Sequence, residues 1–90
     1  MTEGELTVHI RCLSGLRNVA RTKVEEARFP AGTTLRELSR WIADRYGITA
    51  PGPSVMCTLN GRGWRQTANS LETVLCEGDE ITLFPLLTGG

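Results

Sequence analysis

The stretch from Thr33 to Gly47, TTLRELSRWIADRYG, carries a helical period between segments that read as strands, and this most limits what the chain can fold into. Thr34 and Glu37 stand at capping-box spacing, where each side chain satisfies an orphan amide at the helix start. Leu35, Leu38, Ile42 and Tyr46 recur as one apolar stripe, with Trp41 flanking it and expected to pack, and Gly47 is a natural C-cap. A helix with a single apolar stripe must lay that stripe on another element.

The rest of the chain offers strands. LTVHIRC alternates, with Leu6, Val8, Ile10 and Cys12 on one face and Thr7, His9 and Arg11 on the other, the pattern of a half-buried strand. His9 is then an outward, solvated residue. The segment SGLRNVART reads as a loop. KVEEARFP is a second strand, with Ala27 and Phe29 on one face, stopped by Pro30 and Gly32. After the helix, SVMCTLN is a third strand with Val55, Cys57 and Leu59 inward, and Asn60-Gly61 is a tight-turn signal. RGWRQT reads either as a short return strand or as a loop with Trp64 covering an edge. SLETVL fits one helical turn that tucks Leu71, Val74 and Leu75 against the core. Glu77-Gly78-Asp79 turns into a last strand, EITLFP, with Ile81 and Leu83 alternating against Thr82 and Phe84. The expected fold is α+β: a β-grasp, ubiquitin-like domain of four to five strands covered by one main helix, spanning 1–84, with 85–90 as a tail.

The side chains narrow the chemistry. Ten basic and ten acidic residues balance, so no electrostatic footprint for nucleic acid or an anionic membrane is present. The absence of a signal peptide or membrane-length apolar run leads us to expect a cytoplasmic protein. Cys12, Cys57 and Cys76 are dispersed, which argues against a disulfide framework, close-paired zinc ligands or a two-iron cluster. His9 is the single histidine, excluding a multi-histidine metal site and a Ser-His-Asp or Cys-His set. No phosphate loop is present, since Gly61-Arg62-Gly63 is too short for one. The body is therefore expected to be non-catalytic and to bind no cofactor.

The candidate for chemistry is the closing run EGDEITLFPLLTGG. A terminal carboxylate is ionised at neutral pH, with a reference pKa of about 3.3–3.7, and is a poor acyl donor until adenylation supplies AMP as leaving group. ATP and Mg²⁺ for that step must come from a separate enzyme. Glycine suits the position because, lacking Cβ, Gly89 and Gly90 can thread a narrow channel and leave the acyl carbon open to attack. Pro85 closes the strand, and residues 86–90 can extend on the order of 17 Å.

With Gly78-Asp79-Glu80 opening the last strand, Phe84-Pro85 leading to Gly89-Gly90, and Leu59-Asn60-Gly61 in the middle, nearly the whole chain resembles the ThiS/MoaD-like sulfur carriers. The resemblance implies a protein whose Gly90 is adenylated by a ubiquitin-activating-type adenylyltransferase. A sulfide or persulfide donor then converts it to a thiocarboxylate that serves an acceptor synthase. Gly89 and Thr88 would give the tail access, and Phe84, Pro85, Leu86 and Leu87 would dock partners. Molybdopterin-synthase small subunits commonly end Phe-Pro-Pro-Val-(Ala/Ser)-Gly-Gly; here Leu86, Leu87 and Thr88 stand instead, which weakens that assignment. A protein modifier joined through Gly90 to lysines would use the same adenylate. Lys23, the sole lysine, would offer branched polymers few attachment points.

Overall fold

The computed structural model describes residues 4–13, 23–52, 54–67 and 69–85, with Arg65 described by its backbone alone. Among these residues lie β1 (Glu5–Cys12), β2 (Val24–Pro30), α1 (Leu35–Tyr46), β3 (Val55–Leu59), β4 (Arg62–Gly63) and β5 (Glu80–Pro85). Single 3₁₀ turns fall at Trp64–Gln66 and Ser70–Glu72. The strands form one mixed sheet in the order β2-β1-β5-β3-β4. β1 runs antiparallel to β2 and parallel to β5, and β5 runs antiparallel to β3.

The helix starts where its local signals place it. Thr34 Oγ1 accepts from the Glu37 amide at 3.3 Å, and Glu37 Oε1 accepts from the Thr34 amide at 3.0 Å. At the other end Gly47 is left-handed and its N–H donates to the Ala43 carbonyl. The stripe Leu35, Leu38, Ile42 and Tyr46 is buried against Val8, Ile10, Ile81 and Leu83 of the two central strands and their neighbours, forming one core. Burying a side chain such as Ile42 contributes about 1.5–3 kcal/mol. Trp41 packs as expected, its ring meeting Phe29 and Tyr46 edge-on at 5.2 and 5.6 Å.

β5 runs through Pro85, which sits opposite Val55, as the reading of EITLFP as the last strand expects. A proline lacks only the N–H, and the last position of a strand tolerates that loss. Other segments depart from the sequence reading. Val74 is 50% exposed rather than tucked in: it makes an isolated bridge to Thr34, and Leu75 and the half-buried Leu71 alone turn inward. Both alternatives for RGWRQT hold in part, since β4 is two residues long and then turns. Trp64 itself is a core residue, 1% exposed.

Glu25 of β2 sits across from the helix end, where Arg45 Nη2 donates to it at 2.7 Å and Tyr46 Oη at 2.6 Å. Partial burial pushes the Glu25 carboxyl up, but the Arg45 and Tyr46 bonds outweigh it and hold the group below its ordinary value. Burial and the adjacent carboxylate raise the Tyr46 phenol. Because the folded pKa of Glu25 is depressed, its stabilisation is present above the unfolded pKa and is lost as pH falls through the folded one. Glu25→Gln is expected to cost about 1 kcal/mol at pH 7, with half-exposed Arg45 keeping the value small. Thermal melts from pH 7 down to pH 3 check this: the gap to the unchanged protein should close at the acid end.

Candidate functional site

β5 is the element that leads to the glycines, and two turns hold its start. Asn60-Gly61 closes the β3–β4 hairpin with φ of 52° and 88°, the paired left-handed geometry of a two-residue turn, which Asn tolerates and Gly adopts freely. Opposite it, Gly78 takes φ 82° and its N–H donates to the Thr7 carbonyl at 2.8 Å. Buried Asp79 joins the two turns. Its carboxylate accepts from Asn60 Nδ2 at 3.0 Å and from the Cys76 amide at 2.7 Å. Asn60 Oδ1 in turn accepts from the Glu80 amide at 2.9 Å, and the Asn60 amide donates to the Glu80 carbonyl at 2.8 Å. The Leu-Asn-Gly and Gly-Asp-Glu motifs are therefore one clamp. Their role is structural, and the sequence, in which Asn60 and Asp79 stand 19 positions apart, carries no sign of the contact.

Beyond the clamp, Ile81 and Leu83 are buried and Thr82 and Phe84 face the sheet side opposite the helix. Phe84 is half-buried and is not among the residues of the core cluster. Directly across β3 from it is Met56, 42% exposed. On the other flank the Leu13 amide donates to the Leu83 carbonyl at 3.0 Å, which carries the ladder past the Arg11–Thr82 pair and brings Leu13, 38% exposed, level with Phe84. Leu13, Phe84 and Met56 thus form an apolar row at the end of the open face from which the chain continues to its glycines. The sequence reading does not single out Leu13 and Met56, although alternation with Cys12 and with Val55 and Cys57 signals their outward direction.

Pro85 lies half-buried at the corner beside Val55. Leu86, Leu87, Thr88, Gly89 and Gly90 lie outside the described residues. His9 points outward, its Nδ1 3.6 Å from Glu26 Oε2, a surface contact of small energetic weight. Cys12 and Cys57 are buried and Cys76 is exposed. Burial pushes the Cys57 thiol up to about 12, and burial with the nearby Glu25 raises Cys12, so both remain protonated small apolar groups at neutral pH. Among the described residues, no three of His, Cys, Asp and Glu come together to hold a metal, and no helix is long and apolar enough to cross a membrane.

A mixed sheet ordered β2-β1-β5-β3-β4 over one helix is the β-grasp, ubiquitin-like fold. The ThiS family model matches residues 14–90, and the chain belongs to the ThiS family. Comparison with curated proteins finds no match. Among solved structures, the chain is similar to small archaeal modifier protein 1 of Methanosarcina acetivorans at 22% identity and TM-score 0.70, over 96% of this chain and 98% of that one. It is similar to the Amycolatopsis orientalis BexX/CysO complex at 22% identity and TM-score 0.66, over 92% and 99%. A third likeness is to the complex of subunits 1 and 2 of the Helicobacter pylori molybdopterin-converting factor, at 24% identity and TM-score 0.61 over 94% and 100%. At these identities the likeness speaks to the fold.

Proposed function

We propose that this protein is a sulfur carrier, a non-catalytic co-substrate whose Gly90 carboxylate is adenylated by a ubiquitin-activating-type partner and converted to a thiocarboxylate. The observation that carries the reading is the ThiS-family match running to residue 90, through the Gly78-Asp79-Glu80 and Phe84-Pro85 motifs to the paired glycines. The carboxylate oxygen attacks the α-phosphorus of ATP and pyrophosphate departs. Hydrosulfide then attacks the acyl carbon and displaces AMP, leaving a thiocarboxylate. A persulfide donor gives an acyl disulfide instead, which a thiol reduces to the same product. None of these steps asks the folded body for a catalytic group; it has to present the tail and dock the partner. Two structures of similar fold contain a partner protein, which supports a docking role for this one.

Incubation with the activating enzyme, Mg²⁺-ATP and sulfide should add the mass difference between one sulfur and one oxygen, located at Gly90 and removed by an acceptor substrate. Intact-mass spectrometry that finds only isopeptide-linked products would replace the carrier with a lysine-directed modifier.

The row around Phe84 is the docking surface in this reading, because a half-buried, outward-facing aromatic that leads to a reactive tail is a natural interface anchor. Phe84→Ala is expected to weaken binding to the activating enzyme about tenfold, a loss of about 1.4 kcal/mol, while the melting temperature falls by a few degrees. Unchanged affinity with a large drop in melting temperature, by titration calorimetry and thermal melts, would assign Phe84 to folding alone.

A further inference from the structure

The end of the sheet from which the chain leaves for its glycines also carries the sole lysine. Arg11 pairs with Val24, and the Cys12 amide donates to the Lys23 carbonyl at 2.9 Å, so the β1–β2 ladder runs one step further and sets Lys23 beside Cys12. On its other flank Cys12 pairs with Leu83. Lys23, Cys12 and Leu83 therefore stand in one row across the sheet, and Pro85 lies two residues past that row. Lys23 is exposed, and its ammonium makes no ion pair among the described residues.

The distances close. Neighbouring strands lie about 4.8 Å apart and a strand rises about 3.3 Å per residue, which puts the Lys23 and Pro85 backbones about 12 Å apart. Residues 86–90 span up to about 17 Å when extended, and the lysine adds a flexible hydrocarbon stem. The tail therefore has the length to bring Gly90 to the Lys23 amine. An amine at the start of β1 is out of range: Glu5 lies about 26 Å along the sheet from Leu13, which is level with Phe84. Groups joined by so short a linker meet at an effective concentration of about millimolar.

We propose that Lys23 is the internal acceptor for an activated Gly90 and closes the chain into a ring when no sulfur nucleophile is supplied. The inference rests on the reading that Gly90 is adenylated. Closure takes place on adenylate released from the activating enzyme. The Lys23 nitrogen, as the free amine, attacks the Gly90 acyl carbon and the C–N bond forms. The bond from that carbon to the AMP oxygen breaks, AMP leaves with the electron pair, and the amine proton passes to water. The isopeptide product has no terminal carboxylate left to adenylate, so a carrier activated without sulfide leaves the cycle. Hydrosulfide that captures the acyl group first keeps the chain open.

The test starts from the full chain prepared with Gly90 as the thioester of a small thiol, which needs no activating enzyme. In mildly alkaline buffer a monomer lighter than the free acid by one water should form at a rate independent of protein concentration, and digestion should find Lys23 joined to Gly90. Lys23→Arg should give hydrolysis alone at unchanged melting temperature. Lys23→Arg combined with Glu5→Lys, which moves the amine to the far end of the sheet, should close at least about tenfold more slowly than the unchanged chain. Hydrolysis alone in the unchanged chain, equal closure by the Glu5→Lys variant, or dimers that replace the ring and grow with concentration would each overturn the assignment. With the activating enzyme and Mg²⁺-ATP but no sulfide, pyrophosphate release should be followed by the same ring, and sulfide should suppress it. Pyrophosphate release that never yields the ring would also overturn the assignment. A ring from the thioester with no pyrophosphate release would remove the adenylation of Gly90 and uphold Lys23 as its acceptor.

Discussion

Removing Gly89 and Gly90 is expected to abolish ATP-dependent activation while leaving the melting temperature within about 2 °C of the full chain, a change below about 0.5 kcal/mol. The two expectations separate because the described core runs from Leu6 to Leu83, all of it ahead of the residues removed. Activation, by contrast, needs a carboxylate that reaches the α-phosphate of ATP inside another protein. A chain ending at Thr88 would be shorter by roughly 7 Å of reach, and its acyl carbon would lie next to a β-branched side chain. Pyrophosphate release with the cognate enzyme measures the first effect and a thermal melt the second. Persistent pyrophosphate release by the truncated chain would remove Gly90 from the chemistry.

Asp79→Ala is expected to be the most damaging polar substitution in the body, costing about 2–3 kcal/mol and lowering the melting temperature by roughly 10–20 °C. The change strips the acceptor from the Cys76 amide and from Asn60 Nδ2 at once, leaving donors in a buried turn without partners. Hydrogen bonds to a charged acceptor are worth about 1.5–3 kcal/mol each, and the vacated space admits some water, which keeps the sum at the lower value. Asn60→Ala removes a partner from the same network, so the double variant should lose less than the sum of the single losses. Melting within about 2 °C of the unchanged protein would show that the clamp does not hold the start of β5. The result also bears on function, because the strand fixed by this clamp is the one that presents Phe84 and carries the chain toward its glycines.

Residues within four positions of one another determined the elements, and these were legible in the sequence. Thr34 with Glu37 and Gly47 with Ala43 fix the two ends of α1 by bonds inside the helix itself. The alternation of β1 and β5 fixes which side chains face the core, since successive residues of a strand point to opposite faces whatever lies beside it. The same rule put Phe84 outward. The glycine pair and its motifs are likewise properties of the chain alone, and the proposed chemistry at Gly90 rests on them and on the family match.

Tertiary structure decided which distant segments meet. That β5 lies parallel beside β1, some 70 positions away, depends on closing a long loop around the helix, and no local propensity encodes it. Trp64 is buried and Val74 exposed, and neither outcome is fixed by the residues next to them in the chain. Asp79 reads in the sequence as an ordinary turn residue, yet the approach of Asn60 makes it the link between two turns. Phe84 and Met56 on β5 and β3, and Leu13 just past the end of β1, could form one row only once the strand order was set. The chain specifies directions and turns by short-range sterics and hydrogen bonds. Neighbours across the sheet are chosen by the one packing that buries the apolar stripe of α1 and the inner faces of the strands together.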